Sequence, residues 1–153
     1  MPTILVAADG EWVLAQVRGS LLAVGTELLE VQRGSDVLPT VQEEKPDLVI
    51  LDLQIGNMGA PAICRDLRHV EESGRLRRVP VVMLLDRTAD VFQARRADAD
   101  AWLVKPVPHG ALARTVDVLL AGEPWTPEAV GISIPQDSDY LPAHPTAEPE
   151  ATA

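Results

Sequence analysis

Short apolar runs alternate along the chain with segments whose apolar residues recur every three or four positions. The runs occupy residues 4–8, 28–31, 48–51, 81–85 and 102–104. All but 28–31, which contains Glu30, are nearly apolar throughout, as strands covered on both faces are. Between them lie helical patterns. Val13, Val17, Leu21 and Val24 follow i, i+4, i+8, i+11; Val37 and Val41 stand one turn apart; Ile63, Leu67 and Val70 share a face. Leu112, Val116, Leu119 and Leu120 repeat the pattern, and residues 86–97 predict a weaker helix with Val91, Phe92 and Ala94 as its apolar part. Lys45-Pro46 and Pro80 sit where a helix has ended and a strand is about to begin. The order is strand then helix, five times over. Short connections and right-handed crossovers turn that order into an α/β fold, a doubly wound five-stranded parallel sheet.

The pattern stops near residue 123. From 124 to 153 there are six prolines and five acids, with no Lys or Arg. Such a stretch opposes both helix and collapse. The expected organisation is a folded domain over 1–123 and an acidic, proline-rich tail over 124–153. The tail is expected to be disordered and cheap to remove, although Trp125, Ile132, Ile134, Tyr140 and Leu141 could let part of it dock.

Composition narrows the function. The 153 residues carry 13 Lys+Arg against 23 Asp+Glu, a formal net charge of −10. That surface repels phosphate backbones, which argues against nucleic acid and anionic membranes as partners. Cys64 is the one cysteine, so neither an intrachain disulfide nor a Cys/His zinc cage is expected; it reads as packing. The start has no basic region before its apolar run, and no run is long enough to cross a bilayer. The expected location is the cytoplasm.

Candidate chemistry lies where strands end. In an open parallel sheet, ligands bind outside the carboxyl ends of the strands, near the point where strand order reverses. The first run is followed by Asp9, the third by Asp52 and the fourth by Asp86, while the fifth is followed by Lys105-Pro106. Two carboxylates and a lysine can therefore converge on one crevice, with Asp9, Asp52 and Lys105 as the candidates. Paired carboxylates repel unless a cation stands between them, and a hard oxygen-bound dication such as Mg²⁺ answers that need. A lysine beside them can pair with an anion such as a phosphoryl group. Each residue also has a plain reading: an Asp after a strand is commonly a helix cap, and Lys105 could be a solvated loop lysine. The set is more telling than any member.

The set resembles the receiver domain of bacterial two-component response regulators, of the chemotaxis-regulator type. The carrying residues are ILVAAD (4–9), PDLVILDL (46–53), PVVMLL (80–85) and AWLVKPV (101–107). The resemblance implies a (βα)5 flavodoxin-like fold over the folded domain. It places Asp52 on the phosphoacceptor and Lys105 on the lysine that pairs with phosphoryl oxygens. It places Asp9, Asp52 and the main-chain carbonyl of Gln54 on the Mg²⁺ ligands. It further implies a signalling module rather than an enzyme. The donor would be a sensor histidine kinase or phosphotransfer protein and the output a downstream protein target, with a homodimer left open.

Several positions depart from the family pattern. Ala8 stands where the first acid of the metal-binding pair is expected, so Mg²⁺ is expected to bind weakly, and Glu11 is the nearest other acid. Leu85 stands at the switch position usually held by Thr or Ser, with Thr88 three residues on. Trp102 replaces the usual Tyr or Phe, and Gly56 and Gly59-Ala60 alter the turn after Asp52. Two readings stay open: a stand-alone receiver phosphorylated on Asp52, and a pseudo-receiver that acts as an adaptor without phosphorylation. A flavin binder or a haloacid-dehalogenase-type phosphatase fits less well. The first strand is followed by acidic Asp9-Gly10-Glu11 rather than a phosphate loop, and Gln54 stands where the second phosphatase Asp would be.

Overall fold

A computed structural model describes residues 1–22, 25–56 and 58–133. Five strands, β1 (Thr3–Ala7), β2 (Glu27–Val31), β3 (Leu48–Asp52), β4 (Val81–Leu85) and β5 (Ala101–Val104), alternate with five helices. The helices are α1 (Glu11–Leu21), α2 (Val37–Glu44), α3 (Ala60–Glu72), α4 (Val91–Arg96) and α5 (Ala111–Leu120). The strands form one parallel sheet in the order β2-β1-β3-β4-β5. This is the expected flavodoxin-like fold. Every residue of β3 and β4 is buried, whereas β2, at the edge, has only exposed and half-buried positions. Strand order reverses between β1 and its two neighbours, so right-handed crossovers put α1 on one face and α2, α3 and α4 on the other. Accordingly α1 packs beside α5, and α3 packs beside both α2 and α4.

Register decides what emerges together. Ala7 lies beside Leu51, Asp52 beside Leu84, and Leu85 beside Val104. The strands therefore finish level, and Asp9, Asp52, Asp86 and Lys105 leave the sheet along one rim.

Local chemistry sets the helix ends. Lys45 closes α2 in the left-handed conformation, φ +50°, donating its N–H to Val41 O at 3.0 Å. Gly110, φ +80°, leads into α5 with the Arg114 guanidinium folded over it, where a Cβ would lie 2.7 Å from Nη1. The weaker helix is α4, preceded by a 3₁₀ turn at Thr88–Asp90. Val91 and Ala94 are buried as expected, but Phe92 is exposed, lying under Arg96 with 5.3 Å from guanidinium carbon to ring centroid. On so short a helix only one stripe can face the sheet.

Arg68 on α3 is buried and ties the opposite rim together. It donates to Glu71 Oε1 at 3.0 Å, Asp100 Oδ2 at 2.7 Å, and the carbonyls of Val79 and Asp98 at 2.9 and 3.0 Å. Those carboxylates accept in turn from the main-chain N–H groups of Val79 and Val81, so one guanidinium fixes the entry into β4.

Packing runs past the expected boundary at 123. Residues 124–133 return along α5, where Trp125 and Val130 join the core. Trp125 meets Trp102 edge-on, centroids 5.3 Å apart, and donates Nε1–H to Thr115 Oγ1 at 3.0 Å. Arg114 Nε donates to Val130 O at 3.0 Å. The folded unit thus extends beyond 123, because one buried tryptophan outweighs the helix-breaking composition around it. The expectations for Val24 and for 134–153, including Ile134, Tyr140 and Leu141, lie outside the described residues. No helix among the described residues is long and apolar enough to cross a membrane.

Candidate functional site

Asp52 is the last residue of β3 and, with a side chain only 8% exposed, is a buried carboxylate that needs a partner. Lys105, the first residue after β5, supplies it: Nζ lies 2.6 Å from Asp52 Oδ1. The Lys105 main chain is pinned by its N–H to Leu85 O at 2.8 Å, which continues the β4–β5 ladder. The two residues stand fifty-three positions apart in sequence and are joined by strand register alone.

The same ammonium meets a second carboxylate. Asp86 Oδ1 lies 2.9 Å from Lys105 Nζ, and Asp86 Oδ2 accepts from Gln54 Nε2 at 3.0 Å. Trp12 lies alongside, its ring centroid 5.8 Å from Nζ. Burial of Lys105 by itself lowers its pKa, but the hydrogen bonds to Asp52 and Asp86 outweigh that and hold the ammonium above the ordinary lysine range. Lys105 is therefore fully protonated at neutral pH.

Asp9 is exposed and turned toward the loop after β3, where a Cβ added to Gly56 would lie 3.3 Å from its Oδ2. Ala8 is buried and its side chain offers no oxygen. Glu11 is engaged elsewhere, its Oε2 2.8 Å from Arg18 Nη2. Among the described residues no group of three or more His, Cys, Asp or Glu side chains stands close enough together to hold a metal ion. A magnesium ion asks less, since one or two carboxylates with carbonyl and water oxygens suffice. The excess of carboxylate over ammonium along the rim suits such a dication, so the donor set fits Mg²⁺ with few protein ligands.

The switch positions carry no hydroxyl toward the site. Leu85 is fully buried and Trp102 nearly so, with Trp125 against its ring. Thr88 is exposed in its 3₁₀ turn, which is closed by the Arg87 N–H to Asp90 Oδ2 at 3.0 Å. Two groups at the rim had no role in the sequence reading. Asp86 stood there only as the acid after the fourth run, and Trp12 did not figure at all. Neither is identifiable without the geometry that brings both to Lys105.

The family model described as response regulator receiver domain matches residues 4–117. The phosphate regulon transcriptional regulatory protein PhoB of Rhizobium meliloti is 33% identical over 78% of this chain and 52% of its own length. This chain thus spans about half the length of that relative. Protein PilH of Pseudomonas aeruginosa is 27% identical over 80% of this chain and 100% of its own length. Among solved structures, the receiver domain of a sensor histidine kinase from Pseudomonas aeruginosa, with a magnesium ion coordinated in its active-site cleft, superposes with TM-score 0.70. It is 20% identical, and the match covers 78% of this chain and 98% of that one.

Proposed function

This chain belongs to the response regulator receiver family, and on that premise we propose that it accepts a phosphoryl group on Asp52 and signals through protein contacts. The observation that carries the reading is Lys105 Nζ at 2.6 Å from Asp52 Oδ1, at the carboxyl end of the central strand. The donor is a sensor histidine kinase or a phosphotransfer protein, whose phosphohistidine delivers the group. The family is a signalling module, and the role proposed here is to be modified and then recognised by a protein target. PilH, matched over its whole length, supports a receiver serving as a protein by itself.

The chain's residues divide the work. An Asp52 carboxylate oxygen attacks phosphorus while the bond to the donor breaks. Lys105 holds the attacking carboxylate in place and offers its ammonium to the phosphoryl oxygens as charge develops on them. Asp9, Asp52 and the main-chain carbonyl of Gln54 would hold Mg²⁺. That ion, when bound, neutralises phosphoryl charge and aligns the group with its acceptor. With Ala8 in place of an acid, affinity for the ion is weak, on the order of millimolar, or about 4 kcal/mol.

The pseudo-receiver reading is favoured by Ala8, which removes a metal-binding acid, and by the β4 end, where Leu85 offers no hydroxyl and Asp86 already occupies Lys105. Incubation with acetyl phosphate and Mg²⁺ separates the two. The expected result is a mass increase of one phosphoryl group that Asp52→Asn abolishes. No increase with small-molecule donors and none with a panel of kinases would leave the adaptor reading.

A further inference from the structure

Resting on the acceptor role of Asp52, we propose that Asp86 is a built-in competitor for the Lys105 ammonium that slows phosphoryl entry and sets how readily this receiver is charged.

The geometry is specific. An ammonium has three donors. One is directed at Asp52 Oδ1 at 2.6 Å and a second at Asp86 Oδ1 at 2.9 Å, while the Trp12 ring centroid stands 5.8 Å from Nζ. The Lys105 side chain is only 13% exposed and the Asp86 side chain 35%, so the ammonium itself is sheltered while Asp86 reaches it from the solvent side. Gln54 fixes Asp86 from behind through Oδ2 at 3.0 Å, so the carboxylate is oriented and not merely nearby. Asp86 follows the last residue of β4, whose partner in the ladder is Val104; the backbone thus delivers it to the lysine.

Transfer requires Lys105 to turn from carboxylate to phosphoryl oxygen. With acetyl phosphate, the new bond joins Asp52 oxygen to phosphorus. The acetyl oxygen–phosphorus bond breaks, and acetate leaves with the electron pair. Asp52 gives up its charge in the acyl phosphate, but Asp86 keeps its own and continues to hold the ammonium. Its charge also repels the anionic donor on approach. Both effects oppose the transition state, and neither depends on the side chain's bulk. Asp86 acts through Lys105 and is a positioning residue, with a sign opposite to the usual one.

Asp86→Asn removes the charge while keeping the shape and an oxygen for Gln54. Asp86→Glu keeps the charge. The measurement is the rate of acetyl phosphate labelling of the full chain, read by intact mass across a Mg²⁺ titration and compared at saturation. Asp86→Asn should label about tenfold faster than wild type, equivalent to ~1.4 kcal/mol, and Asp86→Glu far more slowly than Asp86→Asn. A merely structural ion pair predicts the opposite, since its loss would loosen the site and slow labelling. Asp86→Asn labelling at the wild-type rate would overturn the proposal while leaving the acceptor role intact. So would slower labelling with a steeper Mg²⁺ requirement, which would make Asp86 a partner of the cation. If neither wild type nor either variant gains mass, the acceptor role itself fails and the proposal falls with it.

Discussion

Ending the chain at Glu123 should destabilise it by about 3 kcal/mol relative to a chain ending at Ser133. The perturbation removes Trp125 and Val130, which are 9% and 0% exposed. Replacing a buried tryptophan by alanine typically costs ~3–5 kcal/mol. That figure includes an edge-on aromatic pair of ~0.5–1.5 kcal/mol, here with Trp102, and a hydrogen bond of about 1 kcal/mol, here to Thr115. The segment must also be ordered to make these contacts, which holds the net value near the lower end. The same reasoning sets a ceiling. Once Trp125 is gone the segment can leave α5, so Trp125→Ala cannot cost more than deleting the whole segment, and the two should agree closely. Urea unfolding followed by far-ultraviolet circular dichroism reads both without relying on tryptophan emission. With a slope of ~1–3 kcal/mol per molar urea, the midpoint should fall by roughly 1–3 M. A truncated chain within about 0.5 kcal/mol of the longer one would refute the reasoning and restore 123 as the end of the folded unit.

Arg68→Met should cost about 3 kcal/mol, because the buried Glu71 carboxylate would lose its cation and the half-buried Asp100 would keep Arg78 alone. Differential scanning calorimetry should show a fall in melting temperature on the order of 10 °C, and a change of only a degree or two would mean that Glu71 does not depend on Arg68. Burial pushes the Cys64 thiol up from 9.0 to about 12, so it should resist a disulfide-exchange reagent at mildly alkaline pH until guanidinium unfolds the chain. The unfolded thiol loses its proton first, so this group's contribution to stability falls as pH rises past 9.0. Rapid native-state labelling would show that the α3 face opens.

The sheet was legible because its strands are covered on both faces, and uninterrupted runs such as 48–51 and 81–85 have few other uses in a chain of alternating elements. Asp52 and Lys105 were legible as strand-end residues, since register is implied once the strands are parallel and consecutive connections are short. Phe92 was misread for lack of length. In a helix of six residues, Val91, Phe92 and Ala94 do not define a stripe, and packing chose Val91 and Ala94. Trp125 was undervalued for another reason: a lone anchor has no period, and the prolines around it dominate any measure of composition. Asp86 shows the limit at the site itself. An acid after a strand caps a helix as readily as it meets a lysine, and only the position of Lys105 Nζ decides between them.

The same comparison explains why counting acids misjudges this rim. The family pattern asks for a pair of acids beside the acceptor, and Ala8 removes one of them from the metal-binding side. The structure holds three carboxylates along the rim nonetheless, because Asp86 adds one on the lysine side. The number of charges is kept while their centre moves across Asp52, away from where a cation would sit and toward the ammonium. On the acceptor role proposed for Asp52, fewer oxygens then attract Mg²⁺, and a more heavily engaged lysine meets the phosphoryl group. Both changes disfavour the charged acyl phosphate, so they act together and do not compensate. Leu85 and Trp102 point the same way from beneath. A buried leucine has no hydrogen bond to give a phosphoryl oxygen, and an indole packed on Trp125 has its neighbour in place before any phosphoryl arrives. A ligand shifts a conformational equilibrium only through a difference in affinity between its states. On the proposed reading, that difference is reduced both at Asp52 and at the residues that would read its state.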